Sequence, residues 1–495
     1  MLFLSIIITF LVGFSFVTAC SSKFSYLEKT GSAFLLGIGI QVLWMLLFDF
    51  IAVPISILSV YSGSLFSIVL CWFYTLKFKK TDIKTAIWPY NPFAGKAWSR
   101  VNFPWLALMY FILYAVWAIN VKCLFWPTFE FDSVAGYDLV AKVVAAEGSF
   151  NNSLFMSNGV SMYNMSLRAV YPPLVSGSFA YVYMSGAEVS KIMTSLYYWS
   201  YLLLLYGLLR RGGLTHLGTA FASLLIIYMP EMVSHAALSQ TNMPQAVYTS
   251  CGLLALFIWM TDRKENSHFL FLSMFILSLN SMIRSENIIF GFVAGIAVLF
   301  YTLKDRSKKN IINLITFGTV VLLPFLLWAL FLKINGMKPA APDNGLAMSF
   351  VFDAAKLKEW WGYLWGGSNY KDGIVMNEFF YGLIPFLYML FLPLVIAFGL
   401  FRIFRTKDNE QKILVKKIFN KDLALLYISL TPFVLYSLLY YFIDYNWDSM
   451  KNVILFSYKR GLFGIMTLFA CFVCLSEPVK MSFGAIGRFM YGVKN

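Results

Sequence analysis

Residues 106–124 read LALMYFILYAVWAINVKCL, run into FWP at 125–127, and are followed at 131–150 by FDSVAGYDLVAKVVAAEGSF. The first stretch has the length and apolarity to cross a bilayer, which takes about 20 residues of helix. The second places Asp132 and Asp138 just past its exit. Charge next to hydrocarbon is costly unless it is paired or used. YPPL at 171–174 then makes a rigid turn that leads the chain back to the membrane. An acid-bearing loop framed in this way, on one membrane face, points to chemistry on a lipid-linked substrate.

The same pattern extends over the whole chain. Of its 495 residues, 59% are hydrophobic and 13% charged, the latter about half the share usual in soluble proteins. Mean hydropathy is +0.70. The expected fold is an all-α polytopic membrane protein, not a soluble domain on an anchor. Apolar windows predict about thirteen transmembrane helices, the first centred near Ile8 and the last near Thr467. The two near Met274 and Ala294 are short and can form one re-entrant pair, which lowers the count to eleven. The external loops are expected to carry short helices.

Lys and Arg set the orientation of such a chain. Alternate loops (21–32, 77–103, 210–213, 262–268, 304–310, 402–422 and 477–495) hold 26 of the 39 basic residues and 9 of the 24 acidic ones. The opposite face holds 13 basic and 15 acidic residues. The basic face is expected to be cytoplasmic, with Asp132, YPPL and the loop 333–378 outside. The net charge of +15 is then a topology signal, and no soluble basic domain exists to bind nucleic acid.

The six cysteines lie almost entirely in or at the ends of apolar spans, so no structural disulfide is implied. CFVC at 471–474 has redox-motif spacing but sits inside a span without a nearby His or charge, and reads as packing. The first 20 residues resemble a signal peptide that lacks a basic n-region, and read as a retained first span.

Three regions follow from the loop lengths. Residues 1–103 form a three-span extension with a basic loop, 104–310 contain the external loop 125–175, and 311–495 contain the external loop 333–378. In that last loop KLKEWWGYLW at 356–365 mixes three Trp with basic residues, the composition of a segment lying among lipid headgroups. It reads as an anchor or as a lid, with AAPDNG at 340–345 as its hinge. No inverted pair of Gly/Pro-broken spans of the transporter kind is visible.

Asp132 leads the residues able to carry chemistry. A carboxylate at the water–lipid boundary can take a proton from a hydroxyl and orient it for attack. Trp126, Phe129, Phe131 and Tyr137 would lower its solvation. The plainer readings are a solvated loop acid and an N-cap for an Ala-rich helix at 134–147. Asp138 is six residues further on, too far to share a helical face with Asp132. Glu130 and Asp132 offer two oxygens on a short loop, a thin basis for a metal site, and no metal requirement is expected. His235 shares a helical face with Glu231 at an external span end. That spacing suits a metal or a base-assisting role. His216 and His268 fall on the other face, however, and capping or packing is the plainer reading for His235.

Asp132, Tyr137, Lys142 and Gly148, followed by YPPL, resemble the first external loop of the C-type (GT-C) membrane glycosyltransferases. Within that class they look like the bacterial protein-mannosyltransferase-like and aminoarabinose-transferase-like branch. IRSEN at 283–287 resembles a short Arg-x-Glu loop of that pattern, and QTNMPQ at 240–245 resembles a loop that usually reads Asp-x-Pro. Two departures stand out. The acid pair usual in the first loop is here Asp132-Ser133, and the acid of the second loop is Asn242. A second carboxylate from that loop is therefore missing. The resemblance covers roughly residues 105–305.

The resemblance implies a GT-C-like fold in the bacterial cytoplasmic membrane with an extracytoplasmic site. It implies a polyprenyl-phosphate sugar donor, a lipid or cell-surface glycan acceptor, and single-step inversion with Asp132 as base. The departing phosphate needs cations where negative charge develops. Arg284 beside Glu286, Lys459 with Arg460, and Arg168 are the candidates. Their plainer readings are a hairpin-closing ion pair, snorkelling to headgroups, and a solvated loop residue. A pocket between the 125–175 and 333–378 loops, open to the lipid, is expected to contain Asp132 and Arg284. An O-antigen ligase or polymerase, or a lipid-glycan transporter or flippase, are the alternatives. No P-loop, no GxGxxG after a strand, no HExxH and no SxxK in a soluble context occurs. That disfavours an ATP-driven pump, a zinc protease and a soluble nucleotide-sugar transferase.

Overall fold

The computed structural model describes residues 1–80, 83, 87, 103–155, 170–337, 348–365, 381–443 and 449–491. Among them every named element is helical. The first region contributes α1 (Leu2–Cys20), α2 (Tyr26–Phe50) and α3 (Ile57–Lys77). The middle of the chain contributes α4 (Phe103–Phe125), α5 (Asp138–Glu147), α6 (Leu174–Met184), α7 (Lys191–Arg211), α8 (His216–Ile227), α9 (Pro230–His235), α10 (Asn242–Thr261), α11 (Ser267–Asn280) and α12 (Ile288–Lys304). After these come α13 (Lys308–Ile334), α14 (Ala354–Trp365), α15 (Ile384–Arg405), α16 (Asn409–Tyr441), α17 (Phe463–Leu475) and α18 (Glu477–Tyr491).

Among the described residues ten helices are long and apolar enough to cross a membrane, and an eleventh span arises if α17 and Glu477–Ala485, which meet at 57°, count as one. By length the described helices thus give ten or eleven, beside the expected eleven to thirteen. The difference has a local cause. The segments centred near Leu224 and Met274 form helices of only 12 and 14 residues, roughly 18–21 Å against a hydrocarbon core of about 30 Å. Pro230 starts a new helix just after the first. After the second, Asn287 Nδ2 donates to Asn280 O at 3.2 Å and Oδ1 at 3.0 Å, which ties off the turn.

Helix α10 occupies the centre, with 94% of its apolar window buried, against 17% for α3 and 28% for α4, α13 and α15. The latter four therefore lie on the outside of the bundle. Close approach without a hydrophobic driving force needs small residues, and α1 and α2 use them. A Cβ on Gly13 would lie 1.7 Å from Ala33 O, and one on Gly37 would lie 1.9 Å from Thr9 O. Beside that crossing Gln41 accepts from Thr9 at 2.7 Å and donates to Ser64 and Tyr181, each at 3.1 Å.

The loops fall into two sets at opposite ends of the bundle. At the basic end Arg211 pairs with Glu28 at 3.0 Å, Lys23 with Glu265 at 3.7 Å, and Lys421 donates to Gly212 O at 2.9 Å. At the other end Asp49 accepts from Ser149 Oγ at 2.8 Å and Phe150 N at 2.6 Å, and Asn151 donates to Asn335 at 3.1 Å. Loops assigned to one face by their charge are the ones that meet.

Candidate functional site

Asp132 sits ahead of a kinked five-residue turn, Ser133–Tyr137, in which Gly136 leaves helical geometry. Helix α5 starts only at Asp138, and the Asp132 side chain makes no capping bond. The N-cap role is therefore not the one it takes. Instead its Oδ2 accepts from Arg460 Nη1 at 2.6 Å, with the two side chains 18% and 26% exposed. Arg460 belongs to a helical run from Met450 to Gly461 that carries a π turn, Ile454–Tyr458.

Next to Arg460, Lys459 donates to Glu231 Oε1 at 2.6 Å, and its carbonyl accepts from Tyr381 OH at 2.5 Å. Glu231 Oε2 meets His235 Nε2 at 3.1 Å, one turn along α9. His235 Nδ1 lies 3.0 Å from Asn242 Nδ2. Asn242 Oδ1 accepts from Arg284 Nη2 at 2.7 Å, and Arg284 Nε donates to Thr241 Oγ1 at 2.7 Å. Arg284 Nη1 and Glu286 are 3.7 Å apart. Tyr137, from the turn that carries Asp132, reaches Thr241 Oγ1 at 3.3 Å, and its ring centroid is 5.8 Å from that of Tyr171.

The donors fix the direction of this chain. A guanidinium has no acceptor, so Asn242 turns its oxygen to Arg284 and its NH2 to His235 and Gln240. His235 Nδ1 then accepts, and the imidazole proton is on Nε2, donated to Glu231. Burial holds the His235 imidazole below its ordinary range, against the pull of Glu231. Burial works against ionisation of Glu231 too, but the hydrogen bonds from His235 and Lys459 and the charge of Lys459 outweigh it and hold the carboxyl below its ordinary value.

The expected residues thus divide. Asp132, Tyr137, Arg284, Glu286, His235, Asn242, Lys459 and Arg460 come together. The Arg284–Glu286 pair is present, with closer partners beside it. Lys459 and Arg460 pair with acids instead of snorkelling. Asp138 is elsewhere, bound to Tyr183 OH at 2.5 Å and Lys142 at 3.0 Å. Glu130 Oε2 is buried with no hydrogen-bond partner among the described residues. Arg168 and the turn 340–345 lie outside the described residues, as does part of the expected pocket between the two external loops. Among the described residues no three His, Cys, Asp or Glu are grouped to hold a metal ion.

Glu231 is the member whose weight sequence reasoning missed. Its spacing to His235 was visible, but its partner Lys459 lies 228 positions away. An apolar groove of about 430 Å³ opens beside the cluster, with Phe111, Leu224, Tyr228, Met229 and Tyr381 among its walls. It touches the cluster through Tyr381, and neither Asp132 nor Arg284 lines it. Helix α14 packs at the same end, with buried Trp360 5.7 Å from the Tyr458 ring and Trp361 54% exposed.

Fold and site together define a polytopic helical membrane protein with a charge-dense, largely buried cluster at the less basic end of its bundle. No family model, curated protein or solved structure matches the chain.

Proposed function

We propose that this chain is an inverting glycosyltransferase that moves a sugar from a polyprenyl-phosphate donor to a hydroxyl of a lipid or cell-envelope glycan. One observation carries the reading: Asp132 meets Arg460 at 2.6 Å, with Lys459 alongside, at the less basic end of a membrane bundle. A base for the incoming alcohol and cations for a departing phosphate are thereby neighbours. The first-loop motif and its resemblance to the GT-C class point the same way.

In the proposed step the acceptor hydroxyl gives its proton to Asp132 as its oxygen bonds the anomeric carbon from the face opposite the phosphate. The bond from that carbon to the phosphate oxygen breaks, and its electron pair leaves with polyprenyl phosphate. Arg460 and Lys459 stabilise the charge that develops there. Arg284, tied to Thr241 and Asn242, steadies the wall behind them. At rest the Arg460 guanidinium occupies Asp132 Oδ2. A phosphate that draws Arg460 away frees this oxygen for the acceptor, so donor binding would arm the base.

Purified protein supplied with polyprenyl-phosphate sugars and acceptor lipid tests the proposal. Transfer is expected in the wild type and lost in Asp132→Asn while donor binding persists. Full turnover by Asp132→Asn removes the assignment of Asp132.

A further inference from the structure

A basic cavity lies at the end of the bundle opposite Asp132. Helix α15 ends at Arg405 and α16 begins at Asn409, and the turn between them bounds a cavity of about 580 Å³. Arg402, Arg405 and Lys407 line it with Phe398, Phe401 and Gln411. Neither arginine is within ion-pair distance of an acid among the described residues. Each guanidinium lies instead over an aromatic ring of its own helix, Arg402 at 5.5 Å from Phe398 and Arg405 at 5.7 Å from Phe401. The one acid in the wall, Asp408, is turned to the backbone and caps α16 by accepting from Glu410 N at 3.1 Å.

The surroundings say what kind of anion fits. Between 402 and 417 the chain carries six basic residues against Asp408 and Glu410. In its wall Phe401 is 58% exposed, and Phe404, Ile413 and Leu414 on the same two helices are exposed as well. Helix α16 has 33 residues, about 50 Å of rise against roughly 30 Å of hydrocarbon, so its first turns run past the apolar core. A cavity walled by Arg402, Arg405 and Lys407 together with Phe398 and Phe401 has the composition of the level where headgroups meet acyl chains. Basic pockets between spans at such a level suit anionic headgroups.

We propose that this cavity binds the phosphate headgroup of an anionic phospholipid, with Arg402 and Arg405 on the phosphate oxygens and Phe398 and Phe401 against the acyl chains. The site is independent of the transferase reading and of its residues.

Native mass spectrometry and thermal unfolding of the detergent-purified full chain test it. The probes are phosphatidylglycerol, phosphatidylcholine and inorganic phosphate, one at a time. Phosphatidylglycerol is expected to be retained and to raise the melting temperature, and the other two to do neither. In Arg402→Gln/Arg405→Gln its retention should fall by roughly tenfold to thirtyfold, from the share each basic residue carries near an anionic surface. Lys308→Gln/Lys309→Gln, exposed at the same end, should keep wild-type retention. Equal retention of phosphatidylcholine, stabilisation by inorganic phosphate alone, or undiminished retention in the arginine variant each overturns the proposal. Should the double variant not fold, exposed Arg405→Gln alone is read by the same criteria.

Discussion

Arg284 Nη2 donates to Asn242 Oδ1 at 2.7 Å, and this bond sets the direction of the hydrogens from Arg284 through Asn242 and His235 to Glu231. Asn242 can offer His235 only its NH2, so His235 stays neutral and passes its own proton toward Glu231. A doubly protonated His235 would face the Asn242 NH2 with a second donor. Flipping the amide would set that NH2 against Arg284. The neutral form is thus enforced by an arginine that never touches the ring.

Asn242→Asp should reverse this. A carboxylate accepts from both Arg284 and His235, and His235 would then stand between two acids, with Lys459 and Arg460 the facing cations. Its titration is expected to move up relative to the wild type, toward an imidazolium at neutral pH. The chain has three histidines, so 15N-histidine NMR with His235→Gln as the assignment control reads the change. An unchanged titration in Asn242→Asp contradicts the direction assigned to the chain.

Arg460→Gln removes the 2.6 Å partner of Asp132 and one cation from the proposed phosphate position. The loss in kcat/KM is expected to be about 10²–10³-fold, the range for removing one preorganised donor. Arg460→Lys should recover part of it, since an ammonium supplies charge without the planar fork. If Arg460→Gln turns over at the wild-type rate, the phosphate role passes to another residue.

Acid should destabilise the protein through the Glu231–His235 pair. Both groups titrate below their ordinary values of 4.5 and 6.5 when folded, so the unfolded chain binds protons first as pH falls. Their contribution is complete above pH 6.5, declines as His235 becomes protonated in the unfolded chain, and is lost further below 4.5 as Glu231 follows. Thermal unfolding between pH 8 and 4 is expected to show the decline, and Glu231→Gln to flatten its lower part. A Glu231→Gln profile that parallels the wild type would count against this origin.

Gly461→Ala tests the support of the cluster. A Cβ there would lie 1.7 Å from Tyr436 OH, so either Tyr436 or the turn bearing Lys459 and Arg460 must shift. Overpacking of this kind costs about 1–3 kcal/mol. Both a lower melting temperature and reduced transfer are expected. Gly37→Ala, at the α1–α2 crossing and away from the cluster, should lower the melting temperature while leaving transfer by the folded fraction unchanged.

Much of the architecture was legible because a bilayer span is a local property. Runs such as 106–124 need only enough consecutive apolar residues, and the alternation of Lys- and Arg-rich loops ordered the ends. Helix breaks were less legible where apolarity continued through them, as at Pro230 and between Asn280 and Asn287. Asp132, Arg284, Lys459 and Arg460 stood out as ionisable groups at span ends, the places where such groups need partners.

The linear order of residues by itself determined the membrane-spanning helical class, which loops share an end, and which side chains were candidates. Only the tertiary structure decided who meets whom. It joined Asp132 to Arg460, 328 positions apart, and Lys459 to Glu231, 228 apart, and it turned Asn242 so that His235 stays neutral. The reason is range. Apolar length and loop charge act over neighbouring residues, whereas a hydrogen bond closes only after packed helices bring distant side chains within 3 Å or so of each other.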